Sequence, residues 1–312
     1  MEYYYYTIIQ TIIKEVTIMK NYQLHGMAQI EADLAKIDAE FENIVASHII
    51  GNYLSNPVFP PFLAIHGPKG EGKSFQTLRT CAKYGFKAYY ISGAELSGAY
   101  EGDSITNIEK NLDDAFIEYN KNHVFSVFII DDFHLSIAST DIGVSKTVNS
   151  QLLIGWLMNQ ADRARIERRY RIPFILLGND YSNLYAPLTR DGRMDFYEWK
   201  PSSETKKKII KSHFEDFFPE DRNGSFEKLI EEYIDEPISF FAELKKDLLK
   251  QRVRDELRRI GVLPHEVLIH TLEQINTDQL CDPNDIVFQL KQLAKDRKEQ
   301  SNRKETIHEE RK

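Results

Sequence analysis

The chain has 312 residues, of which 42% are hydrophobic and 28% charged, so it can bury a substantial core and is not disordered throughout. Its formal net charge of −8 argues against a protein that binds nucleic acid over its whole surface. The two cysteines, Cys81 and Cys281, form no metal-binding or disulfide pattern, and no run reaches the ~20 apolar residues of a membrane helix. We therefore expect a folded cytoplasmic protein with one large domain or two moderate ones.

The first predicted segment is a partly helical N-terminal extension over residues 1–45. Its tyrosine-rich start, Tyr3–Ile13, is either a poorly ordered tail or an amphipathic packing segment. Acidic Glu2 and the lack of a small-residue cleavage site argue against a signal peptide. From Met27 to Tyr53, apolar residues recur at helical spacing, which predicts one or two amphipathic helices.

Strand-like and helical runs alternate over residues 46–199. The predicted strands are the short apolar runs 62–66, 88–91, 124–130 and 174–177. The predicted helices between them cover 74–83, 105–119 and 148–169. This alternation is typical of an α/β domain with a parallel, helix-covered sheet.

After Pro201 the pattern becomes helical. Predicted helices cover 204–217, 225–233, 238–260 and 263–275, and Gly224 and Gly261 separate some of them. We expect a small all-helical lid domain at 200–290. The charged residues 291–312 predict a solvated helical extension that frays.

A phosphate-binding motif follows the first predicted strand. Gly67-Pro68-Lys69-Gly70-Glu71-Gly72-Lys73-Ser74 fits G-x-x-x-x-G-K-[ST] and precedes a predicted helix, which is the context that the motif requires. Glycines let backbone N–H groups converge on phosphate oxygens at a helix N-terminus. Lys73 is expected to reach the β- and γ-phosphates of ATP, and the Ser74 hydroxyl to coordinate Mg²⁺.

Two further predicted strands end in polar side chains. The run Phe128–Ile130 leads to Asp131 and Asp132, which places carboxylates at the carboxyl edge of a sheet. We expect Asp131 to hold the Mg²⁺ shell and Asp132 to orient or activate the attacking water. Asn179 follows the strand 174–177 and is a candidate for positioning that water against the γ-phosphate.

Two groups of arginines have more than one interpretation. Arg190 and Arg193 flank a turn, and they are either surface charges or arginine fingers that reach a neighbouring subunit's nucleotide. The basic run from Arg163 to Arg171 fits a solvated helix face better than a DNA-binding element.

The order of these motifs resembles that of AAA+ ATPases, and more specifically the AAA+ core of Rubisco activases. The likeness covers roughly residues 48–249. It is carried by Gly72–Gln76, Ile91–Leu96, Thr147–Asn149, Asn159–Asp162, Gly178–Asp180, Leu184–Met194 and Ile238–Phe241.

The resemblance implies roles for individual residues. It makes Asn179 the sensor-1 residue, Arg190 and Arg193 the trans-acting fingers, and Phe75 part of the nucleotide site. Lys245 aligns with the lid arginine that senses the nucleotide, but lysine lacks the planar guanidinium fork. An aromatic pore loop is implied at Tyr100, Glu101 and Gly102, and a second pore loop at 136–145. His134, just before that second loop, departs from the family pattern.

The implied function is a ring, expected to be a hexamer, that hydrolyses ATP with Mg²⁺ and remodels inhibited Rubisco to release a bound sugar phosphate. One alternative is a divergent AAA+ paralogue with a different protein client. Another is a nucleotide-gated assembly scaffold with little turnover. Neither a membrane nor nucleic acid is expected as a partner.

Overall fold

The computed structural model describes residues 37–96, 103–133, 148–182, 184–215, 217–218, 224–261 and 283–309. Several predicted features lie outside the described residues: the segment 1–36, the pore loop Tyr100–Gly102, His134, the second pore loop 136–145 and the helix 263–275. The chain divides into two compact units that meet between Lys200 and Pro201 in the sequence. None of the helices in the described ranges is both long enough and apolar enough to cross a membrane.

A five-stranded parallel sheet forms the centre of the first unit. Its strands are β1 (Phe62–His66), β2 (Lys87–Ser92), β3 (Ser126–Asp131), β4 (Phe174–Leu177) and β5 (Met194–Glu198), in the spatial order β2-β3-β4-β1-β5. The predicted α/β class with a parallel, helix-covered sheet is confirmed. Strand β5 was not predicted, because Asp195, Phe196 and Glu198 are exposed and the strand has no continuous apolar run.

Helices pack against the sheet, and the apolar residues of its central strands are buried. The helices of this unit are α1 (Ala39–Asn52), α2 (Lys73–Tyr84), α3 (Gly93–Leu96), α4 (Asp103–Asn122) and α5 (Val148–Ala164), followed by a 3₁₀ turn at Arg168–Arg171. Every residue of β4 is buried, as is the apolar part of β1 and β3. Burial on both faces explains why these strands are continuous apolar runs rather than alternating ones.

The second unit is helical. It contains α6 (Ser203–His213), α7 (Ser225–Glu232), α8 (Ile238–Ile260) and α9 (Pro283–Glu309). Aromatic and aliphatic side chains from all four helices and from the turn after α6 form its core, including Ile210, Phe214, Phe226, Leu229, Phe241, Leu248, Ile286 and Leu290. Helix α9 packs into this core through its first turns, and its sequence becomes charged beyond them.

A buried histidine in α1 makes the stability of the α/β unit depend on pH. His48 is only 1% exposed, and its Nε2 donates to the Phe174 carbonyl oxygen at 3.2 Å. Burial lowers the pKa of His48 from 6.5 to about 4. The unfolded chain therefore takes up the proton first as the pH falls, so this stabilisation is complete above pH 6.5 and is lost between pH 6.5 and pH 4.

We expect this group to reduce the free energy of unfolding of the α/β unit by about 2 kcal/mol between pH 6.5 and pH 5. Urea unfolding at a series of pH values measures how steeply the free energy of unfolding changes with pH. His48→Gln retains an N–H donor and does not titrate, so its free energy of unfolding should depend less on pH. Parallel slopes for the two proteins would contradict the assignment.

Candidate nucleotide-binding site

The register of the sheet brings the predicted motifs to one edge. Ile65 of β1 pairs with Leu177 of β4, and the chain beyond them stays in contact, because Gly67 N donates to the Asn179 carbonyl oxygen at 3.3 Å. Strand β3, which ends at Asp131, is the next strand beyond β4. The phosphate-binding loop, Asn179 and the acidic strand end therefore lie at the carboxyl edge, where parallel sheets bind ligands.

Lys73 connects the phosphate-binding loop to β4. It is the first residue of α2 and is 8% exposed. Its ammonium donates to the carbonyl oxygens of Gly67 at 2.8 Å and Pro68 at 2.9 Å, and to Asn179 Oδ1 at 3.1 Å. An ammonium has three N–H donors, so these bonds use all of them. The structure thus brings together Lys73 and Asn179, which are 106 residues apart in the sequence.

The electrostatics of the site follow from this burial. Burial lowers the pKa of Lys73, while the negative charges of Asp131, Asp132 and Glu71 act in the opposite direction. One buried cation is therefore within electrostatic range of three carboxylates. A bound nucleotide brings negative phosphates, which the ammonium can offset. A divalent cation bound with it brings positive charge, which the carboxylates can offset.

Glycine is required at the start of the loop. Gly67 has φ of +145°, and a Cβ at this position would lie 2.1 Å from the carbonyl oxygen of Trp199. Gly70 and Gly72 also have positive φ, of 79° and 83°. The backbone can therefore curl before α2, and its close approach to Trp199 excludes any side chain at position 67.

Trp199 is a functional candidate that the sequence motifs did not indicate. Its indole Nε1 donates to the Glu71 carbonyl oxygen at 2.6 Å, and its backbone N donates to the His66 carbonyl oxygen at 2.7 Å. Its ring packs edge-on against Phe41, with centroids 5.0 Å apart. Trp199 thus holds the loop both at its start and near its centre. A single tryptophan followed by Lys200 and Pro201 forms no sequence pattern that would predict its contacts with the phosphate-binding loop.

The acidic pair lies at the end of β3. Asp131 Oδ2 accepts a hydrogen bond from the Tyr90 hydroxyl at 2.5 Å, and Asp131 Oδ1 accepts one from Asp132 N at 2.9 Å. Asp132 is exposed and has φ of +51°, so the chain turns sharply away from the strand.

The donor types suit Mg²⁺. Ser74 lies in the first turn of α2 and offers a hydroxyl, and Asp131 offers a carboxylate. Mg²⁺ in nucleotide sites takes one or two such protein oxygens together with phosphate oxygens and water. In the described ranges, no group of three or more His, Cys, Asp or Glu residues forms a separate metal site.

The two predicted finger arginines have different environments. Arg193 forms a bidentate pair with Asp162 of α5, with Nε to Oδ1 at 3.1 Å and Nη2 to Oδ2 at 2.8 Å. Its Nη1 also donates to the Pro187 carbonyl oxygen at 2.6 Å. Arg190 begins the same turn, because its carbonyl oxygen accepts from Arg193 N at 3.0 Å, but Arg190 is exposed.

Lys245 lies in the helical unit and is buried there. Its ammonium donates to the His213 carbonyl oxygen at 2.7 Å, at the C-terminal end of α6, and is 5.3 Å from the centre of the Phe217 ring. A cation at a helix C-terminus is favourable because the helix dipole is negative there. Contact between Lys245 and nucleotide remains a prediction.

Removing the indole donor of Trp199 tests its role in the loop. We expect Trp199→Phe to weaken ADP binding about fivefold, because one net hydrogen bond that holds the loop is lost. Isothermal titration calorimetry measures the affinity. Trp156→Phe is the matched control, since Trp156 Nε1 donates to Glu109 in a different part of the unit. Equal effects of the two substitutions would contradict a specific role for Trp199.

Comparisons with known proteins agree with this geometry. Residues 63–202 match the family model described as "ATPase family associated with various cellular activities (AAA)". The chain is 34% identical over 236 residues to ribulose bisphosphate carboxylase/oxygenase activase of Anabaena sp., which is 72% of this chain and 56% of that protein. It is 33% identical over 238 residues to the activase of Nostoc sp., which again is 72% of this chain and 56% of that protein.

A chloroplastic relative gives a similar result. Ribulose bisphosphate carboxylase/oxygenase activase 2 of Larrea tridentata is 33% identical over 236 residues, which is 71% of this chain and 53% of the relative. The chain thus spans about half the length of the curated relatives it matches. The AAA match runs from β1 to the start of the helical unit and includes the phosphate-binding loop, the acidic strand end, Asn179 and both arginines. Residues 63–202 therefore form an AAA ATPase-family domain, and the core of the chain resembles that of the Rubisco activases.

Proposed function

We propose that this protein uses ATP hydrolysis to remodel a protein client, as a Rubisco activase does. The observation that carries the proposal is the hydrogen bond between Lys73 and Asn179 at the sheet edge where β3 ends at Asp131 and is followed by Asp132. A phosphate-binding lysine, a polar residue able to position water and two carboxylates are the groups that ATP hydrolysis requires at one place.

In this proposal the chain's residues act mainly by positioning and by charge. Backbone N–H groups of the loop and Lys73 bind the β- and γ-phosphates, and Asn179 orients the attacking water. Asp132 is exposed at the strand end, where it can accept a hydrogen bond from that water. Ser74 and Asp131 would hold Mg²⁺, which neutralises charge on the phosphate oxygens when bound.

Assembly and client belong to the same proposal. An arginine finger acts on the nucleotide of another subunit, so we propose a ring, with six subunits as the expected size. Rubisco is the proposed client because the relatives carry activase names. We also propose that the protein is cytoplasmic. Its pore loops would bind the client.

A specific observation favours a second candidate, a divergent paralogue with another client. Lys245, at the predicted nucleotide-sensing position, has its ammonium on the His213 carbonyl oxygen within the helical unit. If that bond persists when nucleotide is bound, the lid would sense the nucleotide differently from an arginine-bearing relative. A changed response to nucleotide fits a paralogue that acts on another client.

The first experiment measures ATP turnover and Rubisco reactivation with the same preparations. We expect Lys73→Ala and Asp132→Asn each to lower kcat by about 10²-fold or more, because charge stabilisation or water activation is lost. Lys121→Ala is the control, since Lys121 is an exposed lysine near the end of α4, outside the phosphate-binding loop. Turnover as fast in Lys73→Ala as in wild type would refute the proposed site.

Reactivation of sugar-phosphate-inhibited Rubisco then identifies the client. Reactivation that requires ATP and is lost in Asp132→Asn supports the proposal. Turnover without reactivation favours the paralogue, and nucleotide binding with ring formation but little turnover favours an assembly scaffold.

A mixing experiment tests whether Arg190 acts in trans. We expect Arg190→Ala to lower kcat by about 10³-fold or more, as loss of an arginine finger does elsewhere. Mixing it with inactive Asp132→Asn should restore turnover, because an intact active site then meets a neighbour with an intact finger. Arg193→Ala, which removes the arginine paired with Asp162, is tested in the same way, and its effect on kcat is compared with that of Arg190→Ala. Failure of every mixture to exceed its parents would contradict action in trans.

A further inference from the structure

Tyr90 lies beside the acidic end of β3 and belongs to none of the sequence motifs. Its hydroxyl donates to Asp131 Oδ2 at 2.5 Å, across 41 residues of sequence. The parallel pairing of β2 and β3 sets Tyr90 opposite Ile129 and Ser92 opposite Asp131. Side chains two residues apart on a strand share a face, so Tyr90 and Asp131 lie on the same face of the sheet.

The hydrogen bonds of Asp131 fix its carboxylate from both sides. Tyr90 donates to Oδ2, and the backbone N of Asp132 donates to Oδ1. Two donors on different oxygens define the plane of the carboxylate group. Each carboxylate oxygen has a second lone pair, so Asp131 retains acceptor sites for a metal ion or its water shell.

We propose that Tyr90 is a positioning residue for binding of the metal–nucleotide complex. Its hydroxyl holds the Asp131 carboxylate in one orientation before the metal arrives, and it offsets part of the repulsion between Asp131 and the adjacent Asp132. Hydrogen bonds to ligating groups orient those groups and tune metal affinity. The inference rests on the proposed function, in which Asp131 holds the Mg²⁺ shell.

The chain provides a matched control in the preceding residue. Tyr89 lies on the opposite face of β2, and its ring stacks on Phe128 in the core with centroids 4.7 Å apart. Tyr89→Phe and Tyr90→Phe each remove one hydroxyl group from the same strand. Only Tyr90→Phe removes a hydrogen bond from Asp131.

The experiment measures metal affinity directly in the 312-residue chain. Mn²⁺ serves as the probe because it prefers oxygen ligands as Mg²⁺ does, and electron paramagnetic resonance counts the free ion in the presence of ADP. We expect Tyr90→Phe to raise the Kd of Mn²⁺ about 10-fold, and Tyr89→Phe to leave it unchanged. ADP binding in EDTA should be the same in all three proteins, since the phosphate-binding loop itself is intact.

Three outcomes would overturn the inference. The first is an unchanged Mn²⁺ affinity in Tyr90→Phe, and the second is an equal loss of ADP binding in EDTA, which would indicate general damage. The third comes from a double-mutant cycle: in an Asp131→Asn background, Tyr90→Phe should have no further effect, and full additivity would show that the two residues act separately. If wild-type protein binds ADP without any metal dependence, the proposed metal role of Asp131 fails as well.

Discussion

The site depends on the hydrogen bonds that the ammonium of Lys73 donates. This ammonium donates to two carbonyl oxygens of its own loop and to the side chain of Asn179, so one cation connects the start of the loop to the chain beyond β4. Carbonyl oxygens can converge on a cation only where the backbone curls, and the positive φ values of Gly67, Gly70 and Gly72 permit that curl. The glycines and the lysine of the motif are therefore parts of one structure.

The loop is supported from both sides because β1 lies inside the sheet. β4 flanks it on one side and supplies Asn179 beyond its end, while β5 flanks it on the other and supplies Trp199. An edge strand would leave one side of the loop to solvent. The position of β1 thus explains why a short exposed strand such as β5 belongs to the site: its pairing with β1 delivers the indole to the Glu71 carbonyl oxygen.

The parts of the fold and site that could be predicted are those encoded by neighbouring residues. The loop motif, the buried strands β1 and β4 and the acidic strand end are each visible within about ten residues of sequence. Trp199 and Tyr90 could not be predicted, because their partners are 128 and 41 residues away and a lone aromatic residue carries no pattern. β5 was missed because the structure leaves much of it exposed, which removes the apolar signal.

The two arginines show why spacing alone does not assign a role. Arg190 and Arg193 are three residues apart in one turn, yet Asp162 and the Pro187 carbonyl oxygen bind the guanidinium of Arg193 within the chain. A bidentate pair of this kind fixes an arginine and, through it, the turn that carries it. An arginine that serves another subunit must instead reach the protein surface. Arg190 is exposed, so we infer that Arg193 shapes the turn and that Arg190 is the better placed of the two to contact a neighbouring nucleotide.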